Sequence, residues 1–457
     1  MIAGDCISIK KIIIVNVLLL ALLIGTASAS NTGPIEEKWN ITFDGQDDDH
    51  IASIIKSNSE GYIVSGNMGL DPISSDQDGF LYEIDSEGEI LWREKFGGNQ
   101  RDSLSAVFQA DKQNYIAVGN TISFGSPSTR STWIIKVDND GNEIWNKTIL
   151  QDVSTIISSG QKTSDGGFVL AGMRAPLRTA GGNLVGLLIK TDSEGNVEWS
   201  KDFGTGQVRT YDCFYSVRQT PEGNYILSGT TQSFSSGNVE DGWLVKVDSN
   251  GNELWNKSFG GKEVDFLDSV IVSPDGDYIA LGRSKQYGES LFNAWAVRTD
   301  KNGNLLWEKR YFDHSDSYFS SIEKSPDENY LVTGSVGKVP NGSVQASFSA
   351  KSYEAVLMKI DGDGNSLWSE NFDGYQTSSF SSIAVDDDSY VVAGSAKLND
   401  SGNSDGLIVT FNEPAMVKQS ASGEDTSESQ PNQEKSPLSV TLAAICLAVA
   451  FIFAKRP

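Results

Sequence analysis

A tryptophan recurs along this chain at a nearly fixed interval. Trp39, Trp92, Trp145, Trp199, Trp255, Trp307 and Trp368 follow one another at spacings of 53, 53, 54, 56, 52 and 61 residues. A period this long makes each unit one supersecondary block, which buries its apolar face only by stacking on a neighbour. Six of the tryptophans end one motif: Asp85, Gly88 and Trp92; Asp138, Gly141 and Trp145; Asp192, Gly195 and Trp199; Asp248, Gly251 and Trp255; Asp300, Gly303 and Trp307; Asp361, Gly364 and Trp368. The aspartate side chain can accept backbone N–H groups within a turn, and the glycine takes the positive φ that closes a hairpin with a bulge. The tryptophan then opens the next strand, where an indole packed between units adds a large apolar area to a small core.

Each unit reads as four short strands. In the second they are Ser105–Ala110, Tyr115–Gly119, Thr132–Val137 and Glu143–Thr148, alternating apolar and polar residues between tight polar turns. No part of the body sustains a 3.6-residue period, and four antiparallel strands per ~50 residues is the blade of a β-propeller. Seven tryptophans but six turn motifs define the closure. Lys38–Phe43 is an outer strand without three strands before it; Phe380–Asp386, Tyr390–Gly394 and Leu407–Phe411 are three strands without an outer one. Together they complete one blade and leave no free sheet edge. The expectation is an all-β, seven-bladed propeller over residues 30–412, closed by pairing the N-terminal strand with the C-terminal blade, with an open capped array as the alternative.

Units such as Phe259-Gly260-Gly261, Asp268 to Gly282, Trp295 and Asp300-x-x-Gly303-Asn304-x-x-Trp307 resemble a large family of secreted bacterial and archaeal propeller repeats. The resemblance covers nearly the whole body and implies the fold; it carries little about function, because fold alone does not fix activity. Two enzymatic propeller classes fit less well. Quinoprotein dehydrogenases place one more residue between the blade Asp and Gly, and this chain has no adjacent cysteine pair; the sialidase Asp box has shorter spacings.

The ends of the chain speak of location. Lys10 and Lys11, an apolar run over 12–24 and Ala27-Ser28-Ala29 describe a signal peptide at 1–29. Residues 413–436 are polar and acidic and read as a disordered stalk. Residues 437–457 carry an apolar run ending in Lys455-Arg456-Pro457, long enough to span a bilayer with its basic end inside. With Ser436-Pro437 before it, this end resembles the sorting tails of archaeal cell-surface proteins, which implies processing by an archaeosortase and exchange for a lipid anchor; a plain transmembrane anchor is the alternative. The chain is therefore expected at the cell surface, anchored by its C-terminus, with a monomeric propeller outside.

Composition excludes several partners and chemistries. With 36 Lys and Arg against 61 Asp and Glu, the net charge of −25 does not suit phosphate binding, so no nucleic acid is expected. Cys6 and Cys446 lie in the apolar ends, leaving Cys213 alone in the body, and His50 and His314 are the only histidines and read as polar loop residues.

Candidate binding residues fall on one face. The loops Asn67–Gln77, Asn120–Ser131, Met173–Gly186, Thr230–Glu240, Arg283–Asn293 and Ser335–Tyr353 are long, whereas the opposite face has only tight turns. Asp49, Asp102, Asp212 and Asp265 stand four residues before an inner-strand Ser or Ala in four units. They are candidates for a hard cation or cationic ligand, or caps of local loops. Phe124, Phe234, Tyr287, Phe348 and Tyr353 are candidate aromatics for sugars or peptides, or packing for their own loops. Half of a calcium loop can be read in Asp138–Glu143 and Asp361–Asn365, but Lys301 in the equivalent turn makes that motif structural first. No cofactor is expected, Ca2+ being the alternative. The reading is a non-enzymatic surface propeller that binds or scaffolds an envelope protein or glycan, with a secreted hydrolase or lyase using acidic residues of the loop face as the alternative.

Asn40, Asn146 and Asn256 each begin an Asn-x-Ser/Thr sequon directly after a repeat tryptophan, and Asn341 and Asn399 begin two more in loops. An extracytoplasmic chain exposes such sites to glycosylation. We expect mass spectrometry of peptides from the native host to find glycan on Asn40, Asn146 and Asn256; fully unmodified Asn146 and Asn256 would leave them plain strand surface.

Overall fold

The computed structural model describes residues 35–43, 48–69, 77–126, 129–175, 183–207, 210–237, 239–313, 315–338, 352–386, 389–398 and 402–412. The chain separates into two compact units, Met1–Ala415 and Met416–Pro457, and every described residue belongs to the first. The signal peptide, stalk and tail expected from the sequence lie outside the described residues, as do His314, Asn341, Phe348 and Asn399. Among the described residues no helix is long and apolar enough to cross a membrane.

Among the described residues, twenty-eight strands form seven four-stranded antiparallel sheets. After β1 (Glu36–Phe43), blade 1 comprises β2 (His50–Lys56), β3 (Tyr62–Met68), β4 (Asp78–Ile84) and β5 (Ile90–Phe96). Blade 2 comprises β6 (Asp102–Asp111), β7 (Asn114–Thr121), β8 (Ser131–Asp138) and β9 (Glu143–Ile149). Blade 3 comprises β10 (Thr155–Lys162), β11 (Phe168–Arg174), β12 (Val185–Thr191) and β13 (Val197–Phe203). Blade 4 comprises β14 (Asp212–Gln219), β15 (Tyr225–Thr231), β16 (Asp241–Val247) and β17 (Glu253–Phe259). Blade 5 comprises β18 (Asp265–Val272), β19 (Tyr278–Ser284), β20 (Asn293–Thr299) and β21 (Leu305–Tyr311). Blade 6 comprises β22 (Ser317–Lys324), β23 (Tyr330–Gly337), β24 (Tyr353–Ile360) and β25 (Ser366–Phe372). Blade 7 is β26 (Thr377–Val385), β27 (Ser389–Lys397) and β28 (Asp405–Asn412), completed by β1, whose Asn40 faces Val409. The seven-bladed ring and its closure are those expected from the sequence. The strands run several residues beyond their apolar segments, because the backbone ladder continues where side chains turn polar.

Position in the blade decides how each strand is written. The second and third strands are covered on both faces by neighbouring blades, so β12 and β15 are buried along their whole length. The fourth strand is covered on one face, and β17 is mostly exposed. The first strand lines the central channel and carries a one-residue bulge in every blade. The extra residues, Ala52, Ser105, Ser158, Tyr215, Asp268, Ser320 and Ser381, form a ring around the channel. Where the ring residue is serine it can tie two blades: Ser320 Oγ donates to Phe380 O at 2.5 Å, and Ser381 Oγ to Ile51 O at 2.5 Å.

The turn between third and fourth strands is built by the repeated aspartate. Asp248 Oδ1 accepts Asn250 N at 2.9 Å and Asn252 N at 2.8 Å, and Asp85, Asp138, Asp192, Asp300 and Asp361 accept the same two groups in their own turns. The motif glycines have φ between +74° and +89°, and the ladder shifts by one residue beside each turn. Each turn also receives the tryptophan of the preceding blade. Trp39, Trp92, Trp255 and Trp307 donate Nε1–H to Ser86 O (2.9 Å), Asn139 O (2.8 Å), Lys301 O (3.3 Å) and Gly362 O (3.1 Å), always the residue after the turn aspartate. A Cβ on Gly141, Gly195, Gly251 or Gly364 would lie 2.6–2.8 Å from the indole of Trp92, Trp145, Trp199 or Trp307. Blade 7 has no such turn, because the chain is cut between β28 and β1. Accordingly Trp368 is the most buried of the seven, and its Nε1 has no hydrogen-bond partner among the described residues.

Acidic residues are also used inside the ring. Lys190, 2% exposed, pairs with Asp165 at 2.9 Å and Glu198 at 3.1 Å, and Lys359, 1% exposed, pairs with Asp327 at 2.8 Å. In blade 5, Arg298 takes the same third-strand position and binds Asp275 and Asp277. Burial pushes the Asp165 carboxyl up, but Thr163, Lys190 and the Gly167 N–H outweigh it and hold it at about 2. With its folded pKa depressed, this group contributes stability above the ordinary aspartate range, and the contribution disappears as pH falls toward 2.

Three outcomes follow for stability. Gly251→Ala should cost about 2–4 kcal/mol, combining a Cβ at φ +76° with one pressed 2.7 Å from Trp199, whereas Gly223→Ala, at φ +83° with nothing within 4 Å, should cost only about 1 kcal/mol. Trp255→Ala should cost about 2–3 kcal/mol, since the indole is half-buried. Denaturant unfolding checks all three, and equal losses at the two glycines would remove the indole from the argument. Deleting residues 38–43 should expose the edge of β28 and lower Tm markedly or cause aggregation; unchanged melting would mean that β1 does not fasten the ring.

Candidate functional site

The four candidate aspartates sit where one blade passes to the next, at or just before the start of a first strand. Their backbone N–H groups join blades: Asp49 donates to Ser404 O (2.7 Å), Asp102 to Gln77 O (2.6 Å), Asp212 to Leu184 O (3.1 Å) and Asp265 to Glu240 O (2.7 Å). Their side chains are buried, and the carboxylates of the last three hold the loop between second and third strands of their own blade, Asp102 and Asp265 also holding the segment that arrives from the preceding blade. Asp102 accepts Gly98 N at 2.8 Å, Thr121 Oγ1 at 2.6 Å and the Ile122 and Ser123 N–H groups at 3.1 and 3.2 Å. Asp212 accepts Thr231 Oγ1 at 2.6 Å, Ser233 Oγ at 2.5 Å and Ser233 N at 3.1 Å. Asp265 accepts Gly261 N at 3.0 Å and Lys285 N at 3.1 Å; burial raises its pKa against those donors and Ser284. The four therefore lie in four separate blades, and Asp102, Asp212 and Asp265 spend their acceptors on loops. Asp49 is buried at the equivalent joint beside β2.

The Phe-Gly-Gly motif belongs to the same device. Gly260 has φ +143°, and a Cβ there would meet Asp265 Oδ2 at 2.2 Å, so the loop can rest its backbone on the carboxylate only as glycine. Asp241 repeats the pattern at the start of β16, accepting Ser236 N at 2.9 Å. In blade 6, Asp316 accepts Tyr353 Oη–H at 2.6 Å and Phe292 N at 3.1 Å. Among the described residues no group of three or more His, Cys, Asp or Glu is arranged to hold a metal.

The remaining candidates have definite places. Phe124 and Phe234 lean on the buried Trp133 and Trp243, with ring centroids 5.4 and 5.8 Å apart. Tyr353 is held by Asp316 and lies 6.2 Å from Tyr318, while Tyr287 is 77% exposed. His50 is a strand residue rather than a loop one: it opens β2, lies 3.4 Å from Ser395 Oγ, and burial lowers its pKa. Cys213 is buried in β14 with its thiol pushed up to about 12 by burial, which keeps it out of nucleophilic chemistry.

The channel holds what the sequence pattern did not single out. It encloses about 810 Å³ and is lined largely by serines, with charge from Arg218, Asp268, Glu323 and Lys324 of blades 4, 5 and 6 and from the Lys56–Asp386 pair, 2.5 Å apart, of blades 1 and 7. Tyr215 and Asp268 interrupt the small residues of the bulge ring, and three positions on, Arg218 and Glu323 pair at 3.3 Å. Asp268 lies 4.0 Å from Arg283, whose guanidinium is stacked 4.4 Å from the Phe266 ring, and its Oδ2 is buried without a hydrogen bond among the described residues. Burial raises the pKa of both Asp268 and Glu323 against their arginines. These residues are visible only once the bulges set the register.

Several solved structures are similar to this chain. The β-propeller domain of the Trilobed protease from Pyrococcus furiosus, which has an open velcro topology, is 10% identical, with 82% of this chain and 94% of that chain covered and a TM-score of 0.43. Polysaccharide lyase Uly1 is 8% identical, with 83% and 100% covered and a TM-score of 0.50. A Bacteroides caccae protein of unknown function is 13% identical, with 74% and 98% covered and a TM-score of 0.40. No curated protein matches the chain. A family model, that of the outer membrane protein assembly factor BamB, matches residues 37–286 and, overlapping them, 130–393. Those matches together run from β1 into blade 7, and the chain belongs to the family of the outer membrane protein assembly factor BamB.

Proposed function

We propose that this chain is a non-enzymatic binding or scaffolding module of the cell envelope, secreted and held at the surface by its C-terminal segment, which presents its long-loop face to a protein or glycan. The observation that carries the reading is the asymmetry of the two faces. One consists of tight turns locked by aspartates; on the other, longer loops are braced by Asp102, Asp212 and Asp265. Bracing of that kind fixes a surface before a partner arrives, which reduces the ordering cost of binding. The family, described as an assembly factor of the outer membrane, supports a protein-interaction role at an envelope.

A second reading has its own observation. Asp268 and Glu323 share one cavity, and both have raised pKa values, the condition under which a carboxylic acid can act as a proton donor. Under it the chain is a hydrolase or lyase working from the channel.

Capture of envelope extract on the purified full-length chain separates them. We expect a protein or glycan to be retained by the wild type and by Asp268→Asn alike, and to be lost on replacing the loop tips at 233–236 and 286–289 with Gly-Ser. Turnover of envelope polysaccharide that disappears in Asp268→Asn would overturn the non-enzymatic reading.

A further inference from the structure

The loop between second and third strands keeps one frame in blades 2, 4 and 5. Thr121, Thr231 or Ser284 ends the second strand beside the bracing aspartate, and three residues later comes an aromatic: Phe124, Phe234 or Tyr287. In blades 2 and 4 that aromatic covers the buried third-strand tryptophan. Blade 5 has the tryptophan too, Trp295, but Arg310 lies over it, 6.0 Å from its ring, and Tyr287 has left it. A turn closed by Glu289 N to Gln286 O at 3.0 Å, with Gly288 at φ +83°, holds Tyr287 outward, where it is 77% exposed. The Lys262 ammonium lies 5.1 Å from its ring centroid.

Around this tyrosine is a cavity of about 420 Å³ lined by Gly260, Gly261, Lys262, Lys285, Gln286, Tyr287, Glu308 and Arg310. Three cations face one carboxylate there, on a chain whose net charge is −25. Arg310 is fixed by Ser284 Oγ at 3.1 Å and paired with Glu308 at 3.7 Å, and its buried Nε has no hydrogen-bond partner among the described residues, which leaves Lys262 and Lys285 as the uncompensated charges. An exposed aromatic face beside converging ammonium and guanidinium groups suits a ligand that is a flat apolar ring face and an anion together. Pyranose rings offer C–H groups to an aromatic face, and a uronic acid carries its carboxylate at the ring edge. The cations answer that charge with charge-assisted hydrogen bonds.

We infer that this cavity on the long-loop face of blade 5 binds a uronate of an acidic polysaccharide, Tyr287 stacking on the sugar and Lys262, Lys285 and Arg310 holding its carboxylate. The inference deepens the proposed binding role and rests on it. The test is calorimetric titration of the full-length chain with oligogalacturonate, its fully methyl-esterified form and a hexaglutamate peptide. Binding of the acid form alone is expected, weakened about tenfold by Tyr287→Ala, retained by Tyr287→Phe, and weakened about tenfold with a shallower salt dependence by Lys262→Ala combined with Lys285→Ala. These side chains are at the surface, so melting should be unchanged. No binding by the wild type, equal binding of the ester, or indifference to Tyr287→Ala would overturn it. Equal binding of hexaglutamate would assign the cavity to an acidic peptide instead. Capture of an envelope component that survives Tyr287→Ala would leave the binding role standing and remove only the uronate.

Discussion

The ring is held by one contact made again and again: the indole that opens an outer strand, laid on the Asp-x-x-Gly turn of the following blade. Its requirements explain the motif residue by residue. Aspartate shapes the turn, glycine supplies both the positive φ and the absence of a Cβ where the indole lies, and the carbonyl after the aspartate takes the indole N–H. A blade alone has too little core to stand, so its stability resides largely in the joint to its neighbour. Blade 7 shows the cost of closing a ring with a cut chain. Its turn is replaced by two strands that meet without a covalent link, and Trp368 is left without the carbonyl that Trp39, Trp92, Trp255 and Trp307 use.

On the opposite face a second repeated joint acts through charge. Asp102, Asp212 and Asp265 each put a backbone N–H on the preceding blade and a carboxylate on the loops of their own. Burying a carboxylate is expensive unless it is satisfied by donors, and two to four N–H or O–H groups at each of these satisfy it. The loops thereby lose freedom where they leave the sheet, which suits a surface whose frame is constant and whose contact residues vary.

Much of this was legible before any coordinates. The tryptophan period, the turn motif and the mismatch of seven against six contain the blade count and the closure, because each rests on local chemistry that tolerates few substitutes. The aspartates at the blade joints were visible as a pattern but not as a role: spacing placed them just ahead of an inner strand, and only geometry shows Asp102 and Asp265 accepting the N–H groups of Gly98 and Gly261. The channel residues were not visible. Tyr215, Asp268 and Glu323 reach the lumen because a bulge shifts the inward register of each first strand by one residue, and a bulge leaves no composition signal in strands of seven to ten residues.

Since the backbone of every blade answers to the same two joints, what distinguishes this chain resides where a blade departs from the repeat. Departures are not spread evenly. The bulge ring is small-residued except at Tyr215 and Asp268, in blades 4 and 5. The aromatic over the third-strand tryptophan is in place in blades 2 and 4 and displaced in blade 5, where Arg310 substitutes for it. Arg283, also of blade 5, stacks on Phe266 and reaches toward Phe292 and Tyr318. Cations are scarce in a chain of net charge −25, yet Lys262, Arg283, Lys285 and Arg310 gather on this one sector of the loop face and channel. A structural role does not call for such concentration, since the other blades close without it. The sector formed by blades 4 and 5 is therefore where this chain departs furthest from its own repeat, with Arg283 beside the channel residue Asp268 and Lys262, Lys285 and Arg310 around Tyr287.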